Sequence, residues 1–137
     1  MDTKSINGLM AKFLGWEKET YPNGSEGWFA NDDIARELNF HQDWNELMKI
    51  VVQIAKLPNP SDQPKKTPFG WVAMDEFRIT PHAILIKAYK RVNAESYWDN
   101  FMGFNRFTFA TDSNMLDTCY STLSEFIIWY YDDTLVY

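Results

Sequence analysis

The chain reads as an α+β domain: a small antiparallel sheet of about three to four strands packed with helices in the order α-α-β-β-β-α, layered like an αβα sandwich. Three observations predict it. Apolar residues recur at helical spacing up to residue 57 and again beyond residue 112, while between residues 71 and 110 their period is two. Four prolines, Pro58, Pro60, Pro64 and Pro68, separate the first two regimes. The 137 residues include six Trp, seven Tyr and ten Phe, and each buried aromatic removes about 150–250 Å² from water, so a dense core is available.

The first helix carries Ile6, Leu9, Met10, Phe13 and Leu14 on one stripe, and Gly15 supplies the left-handed residue that closes it. Pro22-Asn23-Gly24 marks a turn between two short extended pieces, and Trp28-Phe29 ends a short edge strand. Asn31 or Asp32 caps a brief helical turn through Leu38. The second helix opens on a capping box, Asp43 with Glu46 three residues later. Trp44, Leu47, Met48, Val51, Val52 and Ala55 form its stripe, which Ile50 and Ile54 widen, and it ends near Leu57.

Residues 58–70 are expected to be an exposed connection inside the single domain 1–137, with no regular element between its prolines. Trp71–Thr80 is the first long strand, with a bulge at Asp75-Glu76 where the alternation slips. After a tight turn at Thr80-Pro81-His82 comes Ala83–Arg91, apolar on both sides and therefore central. Asn93–Gly103 is an aromatic-rich loop and Phe104–Ala110 the next strand. Apolar residues on both sides of the strands call for cover on both sheet faces. The last helix starts at Asp112 or Ser113 and buries Met115, Cys119, Leu123, Phe126, Ile127 and Tyr130. Asp132 and Asp133 sit at its end, where the helix dipole disfavours negative charge, and fraying is expected there. Periodicity assigns Phe13, Trp44, Phe77, Phe107, Phe109, Phe126 and Tyr130 to the core.

The net charge is −6, and no Lys or Arg follows Arg106. Such a chain is repelled by phosphate backbones, so duplex nucleic acid is not expected as a partner. The acidity serves solubility, or forms a surface that mimics nucleic acid and blocks a basic partner. One cysteine cannot form an internal disulfide. No secretory leader and no membrane-length apolar run are visible, so Asn23-Gly24-Ser25 is read as a turn and the protein as cytoplasmic.

Phe13-Leu14-Gly15-Trp16, Trp44-Asn45-Glu46-Leu47-Met48 with Val51-Val52, and Glu125-Phe126-Ile127-Ile128-Trp129-Tyr130 resemble segments of small proteins of tailed phages and prophages, some of them similar to the phage αβα-sandwich domain family. The resemblance covers residues 5–57 and 104–131. It implies a phage or prophage origin and carries no catalytic residues.

Residue types that perform chemistry are scarce. His41 and His82 have no metal-ligand spacing; His41 is expected to close a loop before the second helix and His82 to be exposed in a turn. Cys119 falls on an apolar helix face and is read as a buried thiol. Asp75 and Glu76 point to opposite strand faces unless a bulge turns them together. No catalytic residue, metal site or cofactor is therefore assigned. One constellation could take an anion: Lys87, Tyr89 and Arg91 share one side of a strand, and Arg106 on the next strand could approach them, with Trp71 nearby. Trp28, Tyr97, Trp98, Phe101, Tyr131 and Tyr137 lie where burial is not forced and form a candidate interaction surface.

Two functions fit these readings. The first is a phage accessory protein that binds, and inhibits, a host protein or defence system in the host bacterial cytoplasm. The second is a protein that binds or sequesters a small anionic ligand such as a signalling nucleotide. A third, an enzyme, needs a spatial cluster that the linear sequence does not display. The apolar C-terminal tail is covered either by a homodimer contact or by packing back onto the sheet.

Overall fold

A computed structural model describes residues 1–58, 65–67, 70–91, 103–109 and 114–132, without the side chains of 65–67, 70, 71 and 91. It is an α+β fold. The order is α1 (Thr3–Phe13), β1 (Glu17–Thr20), β2 (Glu26–Phe29), α2 (Trp44–Ala55), β3 (Lys65–Thr67), β4 (Gly70–Ile79), β5 (Ala83–Arg91), β6 (Gly103–Phe109) and α3 (Met115–Tyr130). Strands β1 and β2 form a separate antiparallel hairpin, and the larger sheet runs β3-β4-β5-β6, antiparallel throughout. The short strand β3 arises inside the proline-rich connection, where no regular element was expected. Lys65-Lys66-Thr67 holds no proline, and three residues suffice for an edge strand.

The ends of the helices follow from their sequence. In α1 the Asp2 carboxylate accepts from the Ser5 amide at 2.8 Å. At its other end Gly15 adopts φ 83°. There the Trp16 amide donates to the Ala11 carbonyl at 3.0 Å and the Gly15 amide to Lys12 at 2.9 Å, a Schellman closure. Only half of the expected capping box forms on α2. Asp43 accepts from the amides of Asn45 and Glu46, but its own amide donates to Asn39 and the Glu46 carboxylate binds Lys49 instead. The buried stripe of α2 is Leu47, Ile50 and Ile54; Trp44 is 40 % and Val52 50 % exposed. The expected stripe was thus rotated toward solvent, because apolar residues surround this helix and periodicity alone could not choose the face.

Residues 31–38 do not form the expected helical turn. Asn31 has φ 58°, the Asp32 carboxylate accepts from the Ile34 amide, and Arg36 bridges back to Trp28. An Asp side chain that bonds the backbone two residues on competes with helix formation.

The bulge lies where the alternation slips, between Met74 and Glu76. It keeps Val72, Met74, Phe77 and Ile79 on one face of β4, opposite Lys90, Ala88, Ile86 and Ile84 of β5. This face receives α2 and α3, with α1 packed on both helices. The core joins Met10, Phe13, Phe40, Leu47, Ile50, Ile54, Ile84, Ile86, Leu123, Phe126 and Ile127. Cover on both faces was expected; the three described helices gather on one. Phe107 and Phe109 therefore do not join the core. They stack edge-on at 4.7 Å on the far face, 53 % and 76 % exposed, opposite Leu85 and Ala83.

The end of α3 is held rather than left to fray. Lys90 is 2 % exposed, and its Nζ donates to the carbonyls of Trp129 at 2.6 Å and Asp132 at 3.2 Å. A cation from β5 thus answers the negative end of a helix that has no basic residue in its last turn. Asp133, the tail beyond it, the expected helix start at Asp112 or Ser113, and the loop 93–102 lie outside the described residues. Among the described residues no helix is long and apolar enough to cross a membrane.

Candidate functional site

Arg106 does not join the predicted anion site. β5 and β6 are neighbours, as required, but the register pairs Arg106 with Ile86 and Lys87 with Asn105. Directly paired residues share a face, so Arg106 belongs to the helix-covered face and Lys87 to the opposite one. The Arg106 Nε lies 2.9 Å from a Glu125 carboxylate oxygen, and Lys87 lies 3.5 Å from Asp75. The Tyr89 phenol first, and then Asp75, hold the Lys87 ammonium above the usual lysine range. Lys87 and Tyr89 do share a face, as predicted. Trp71 and Arg91 are register partners at the end of the β4–β5 ladder, and their side chains lie outside the described residues. One unit of register, which the sequence does not encode locally, separates the expected site from the observed arrangement.

The candidate interaction surface divides similarly. Tyr97, Trp98, Phe101 and Tyr137 lie outside the described residues. Tyr131 is half-buried against Tyr130, with Lys12 5.3 Å from its ring centroid. Burial first, then Tyr130, raises its phenol well above the usual tyrosine range. Cys119 is fully buried, and burial pushes its thiol up to about 11. At neutral pH it is a thiol, not a nucleophilic thiolate.

Trp28 leads to a site that the sequence reading missed. It forms one wall of a groove of about 930 Å³ between α1, the β1–β2 hairpin and residues 36–41. That volume suits a small-molecule ligand. Lys4, Lys12, Lys18 and Arg36 line the groove, against Glu26 and Glu37. Lys18 is 3.4 Å from Glu26. Arg36 is held by both oxygens of Asp32, at 2.8 and 2.6 Å, and lies over the Trp16 ring. Lys4 and Lys12 make no ion pair among the described residues. The Ser5 hydrogen bonds lower the Asp2 carboxyl, and Lys4 lies near enough to help; Lys12 lies over the Tyr131 ring. The two lysines stand eight residues apart on α1, with Gly8 midway, so the three share one side of the helix. Gly8 exposes the helix backbone to the indole: a Cβ there would lie 3.6 Å from Trp28 Cζ2.

The groove has a polar floor. Asn7 is 2 % exposed. Its Nδ2 lies 3.2 Å from the Leu38 carbonyl and 2.9 Å from His41 Nδ1, while its Oδ1 accepts from the Tyr120 hydroxyl at 2.8 Å. His41 therefore ties the segment before α2 to α1, in keeping with the loop-closing role expected of it. Trp16 is stacked on Phe40 and Trp129 on Phe104 and Phe126. Trp28 has no ring or cation partner among the described residues; it is partly buried against the core and presents the rest of its indole to the groove. The repeat Lys4, Gly8, Lys12 was the legible signal for this site; its closure by residues 24–28 and 36–41 was not.

Two other clefts carry less. One of about 410 Å³ between β6 and α3 is occupied by the Arg106–Glu125 pair, and another of similar size lies beside Leu57, Met74 and Asp75. Among the described residues no three His, Cys, Asp or Glu side chains gather as a metal site. The chain matches no protein-family model, no curated protein and no solved structure at a meaningful level of similarity.

Proposed function

We propose that this protein works by binding, without turnover, and that a small anionic ligand occupies the groove between α1 and the β1–β2 hairpin. The observation that carries this reading is the local charge. Four cations and two carboxylates line the groove, and Asp32, which binds Arg36, leaves an excess of one positive charge on a chain of net charge −6. Two of those cations, Lys4 and Lys12, make no ion pair with a carboxylate among the described residues. Each ammonium about 4 Å from an anion contributes roughly 1–4 kcal/mol between bulk water and a protein surface. A flat group resting on the Trp28 indole adds about 1–3 kcal/mol. The charge contribution weakens as salt rises.

This reading accords with the resemblance to phage and prophage proteins, as an accessory protein acting in a bacterial host's cytoplasm by sequestering a ligand such as a nucleotide. Thermal unfolding at low ionic strength with a panel of nucleoside phosphates, carboxylates and inorganic phosphate tests it. At least one anion should raise the midpoint by several degrees in the wild type and leave the Lys4→Glu/Lys12→Glu variant unmoved. A wild type unmoved by every anion at millimolar concentration contradicts the reading.

A second reading has its own observation. Phe107 and Phe109 expose a stacked aromatic pair on the far face of the sheet, at the end strand β6. Large exposed apolar patches are typical of protein contacts, and this pair would form the centre of one, as inhibition of a host protein requires. In that case Phe107→Asp/Phe109→Asp should abolish a complex recovered from host lysate and leave the fold intact.

A further inference from the structure

The amide of Asn7 has a determined orientation. The Leu38 carbonyl can only accept, so the Asn7 atom 3.2 Å from it is the donor Nδ2. The same Nδ2 lies 2.9 Å from His41 Nδ1. An amide nitrogen brings only protons, so His41 Nδ1 must accept, and the ring carries its proton on Nε2. On the other side the Tyr120 hydroxyl donates to Asn7 Oδ1 at 2.8 Å; a hydroxyl can also accept, so it is the Leu38 carbonyl that keeps the amide from turning over. Three elements thus converge on one buried amide: α1 through Asn7, residues 38–41, and α3 through Tyr120. His41 lines the groove, its Nε2–H has no protein acceptor among the described residues, and it is not a buried orphan.

We infer that Asn7, oriented by the Leu38 carbonyl, is a positioning residue which locks His41 as an Nε2–H donor, so that the groove receives the oxygens of a phosphate group. This inference rests on the groove being the binding site. The ammoniums of Lys4 and Lys12 and the His41 Nε2–H are donors only, and the hydroxyls of Thr3 and Ser5 can rotate to donate. A phosphate presents several acceptor oxygens and no obligatory donor, which matches this set. Glu37 is the exception: it lines the groove with no cation partner among the described residues, and it opposes an anion. Its replacement, Glu37→Gln, should tighten phosphate binding.

Long-range proton–nitrogen spectra of the histidine rings during a titration with inorganic phosphate test the inference. The expected wild-type His41 is the Nε2–H tautomer, and phosphate moves its Nε2 resonance but not Nδ1. In Asn7→Asp the carboxylate demands a donor, so the ring switches to carrying a proton on Nδ1 and phosphate binds about tenfold or more weakly. Should Asn7→Asp fail to fold, Asn7→Ala carries the test: with no amide donor facing Nδ1 the ring should populate both tautomers. A wild-type Nδ1–H tautomer, or a tautomer unchanged in Asn7→Ala, overturns the positioning role. Phosphate that shifts Trp28 and the α1 amides but not His41 Nε2 overturns it too, and leaves the groove reading standing. Phosphate that shifts none of them overturns both.

Discussion

The Lys90 ammonium donates to the Trp129 carbonyl at 2.6 Å and lies 4.9 Å from the centroid of the same residue's indole. One side chain on β5 therefore binds both the backbone and the ring of the last turn of α3. Replacing it by a neutral side chain of similar shape, Lys90→Met, removes the donor and leaves the Asp132 carbonyl without it. The loss of charge-assisted hydrogen bonds outweighs the relief of desolvating one ammonium when the acceptors stay in place. We expect Lys90→Met to cost about 1–3 kcal/mol in urea unfolding, with residues near 129–132 exchanging their amide protons faster.

The rotated stripe of α2 is tested by two alanines. Ile50 is fully buried, so Ile50→Ala should cost about 2–5 kcal/mol. Val52 is 50 % exposed, and alanine is the better helix former, so Val52→Ala should change stability by no more than about 0.5 kcal/mol. A larger loss at Val52 than at Ile50 would restore the stripe read from the sequence.

The Asp32–Arg36 pair gives a pH dependence with a definite sign. The Arg36 guanidinium holds the Asp32 carboxyl down from 3.8 to about 2. The folded state thus binds this proton less tightly than the unfolded chain. The pair's contribution is fully present above pH 3.8 and is lost as pH falls through about 2. A carbon-detected titration should find the Asp32 carboxyl near 2 in the wild type. In Arg36→Gln it should return toward 3.8; no movement would mean that the guanidinium is not its partner.

Gly8 sits in the middle of α1, where glycine costs about 0.5–1 kcal/mol relative to alanine. An added methyl would meet Trp28 at 3.6 Å, an ordinary contact. Gly8→Ala should therefore stabilise the protein by about that amount in thermal unfolding. A destabilised variant would mean that α1 and Trp28 lie closer than described.

The α+β class, the sequence positions of all three helices, the hairpin around Pro22-Asn23-Gly24 and the bulge at Asp75 were legible because each is a local matter of periodicity, capping or turn chemistry. One failure was local, the helical turn at residues 31–38 lost to the Asp32 side chain; the others were long-range. Arg106 and Lys87 were placed together because strand order can be guessed from sequence while register depends on the whole ladder. Phe107 and Phe109 were placed in the core because alternation marks a face without saying whether anything covers it. Lys90, on an otherwise apolar strand face, gave no sign that its partners were helix carbonyls 39 and 42 residues away. The groove was hidden for the same reason: Lys4, Gly8 and Lys12 are adjacent on one helix, but Trp28, Arg36 and His41 reach them only through the fold.

The central claim, that the groove is the binding site, is tested most directly by mapping amide chemical-shift changes during titration with adenosine 5′-monophosphate. The account predicts that the changes centre on Gly8, Lys12, Trp28 and His41 and vanish in Lys4→Glu/Lys12→Glu. Changes confined to residues 83–89 and 103–109 on the far sheet face, or no changes at millimolar ligand, would contradict it.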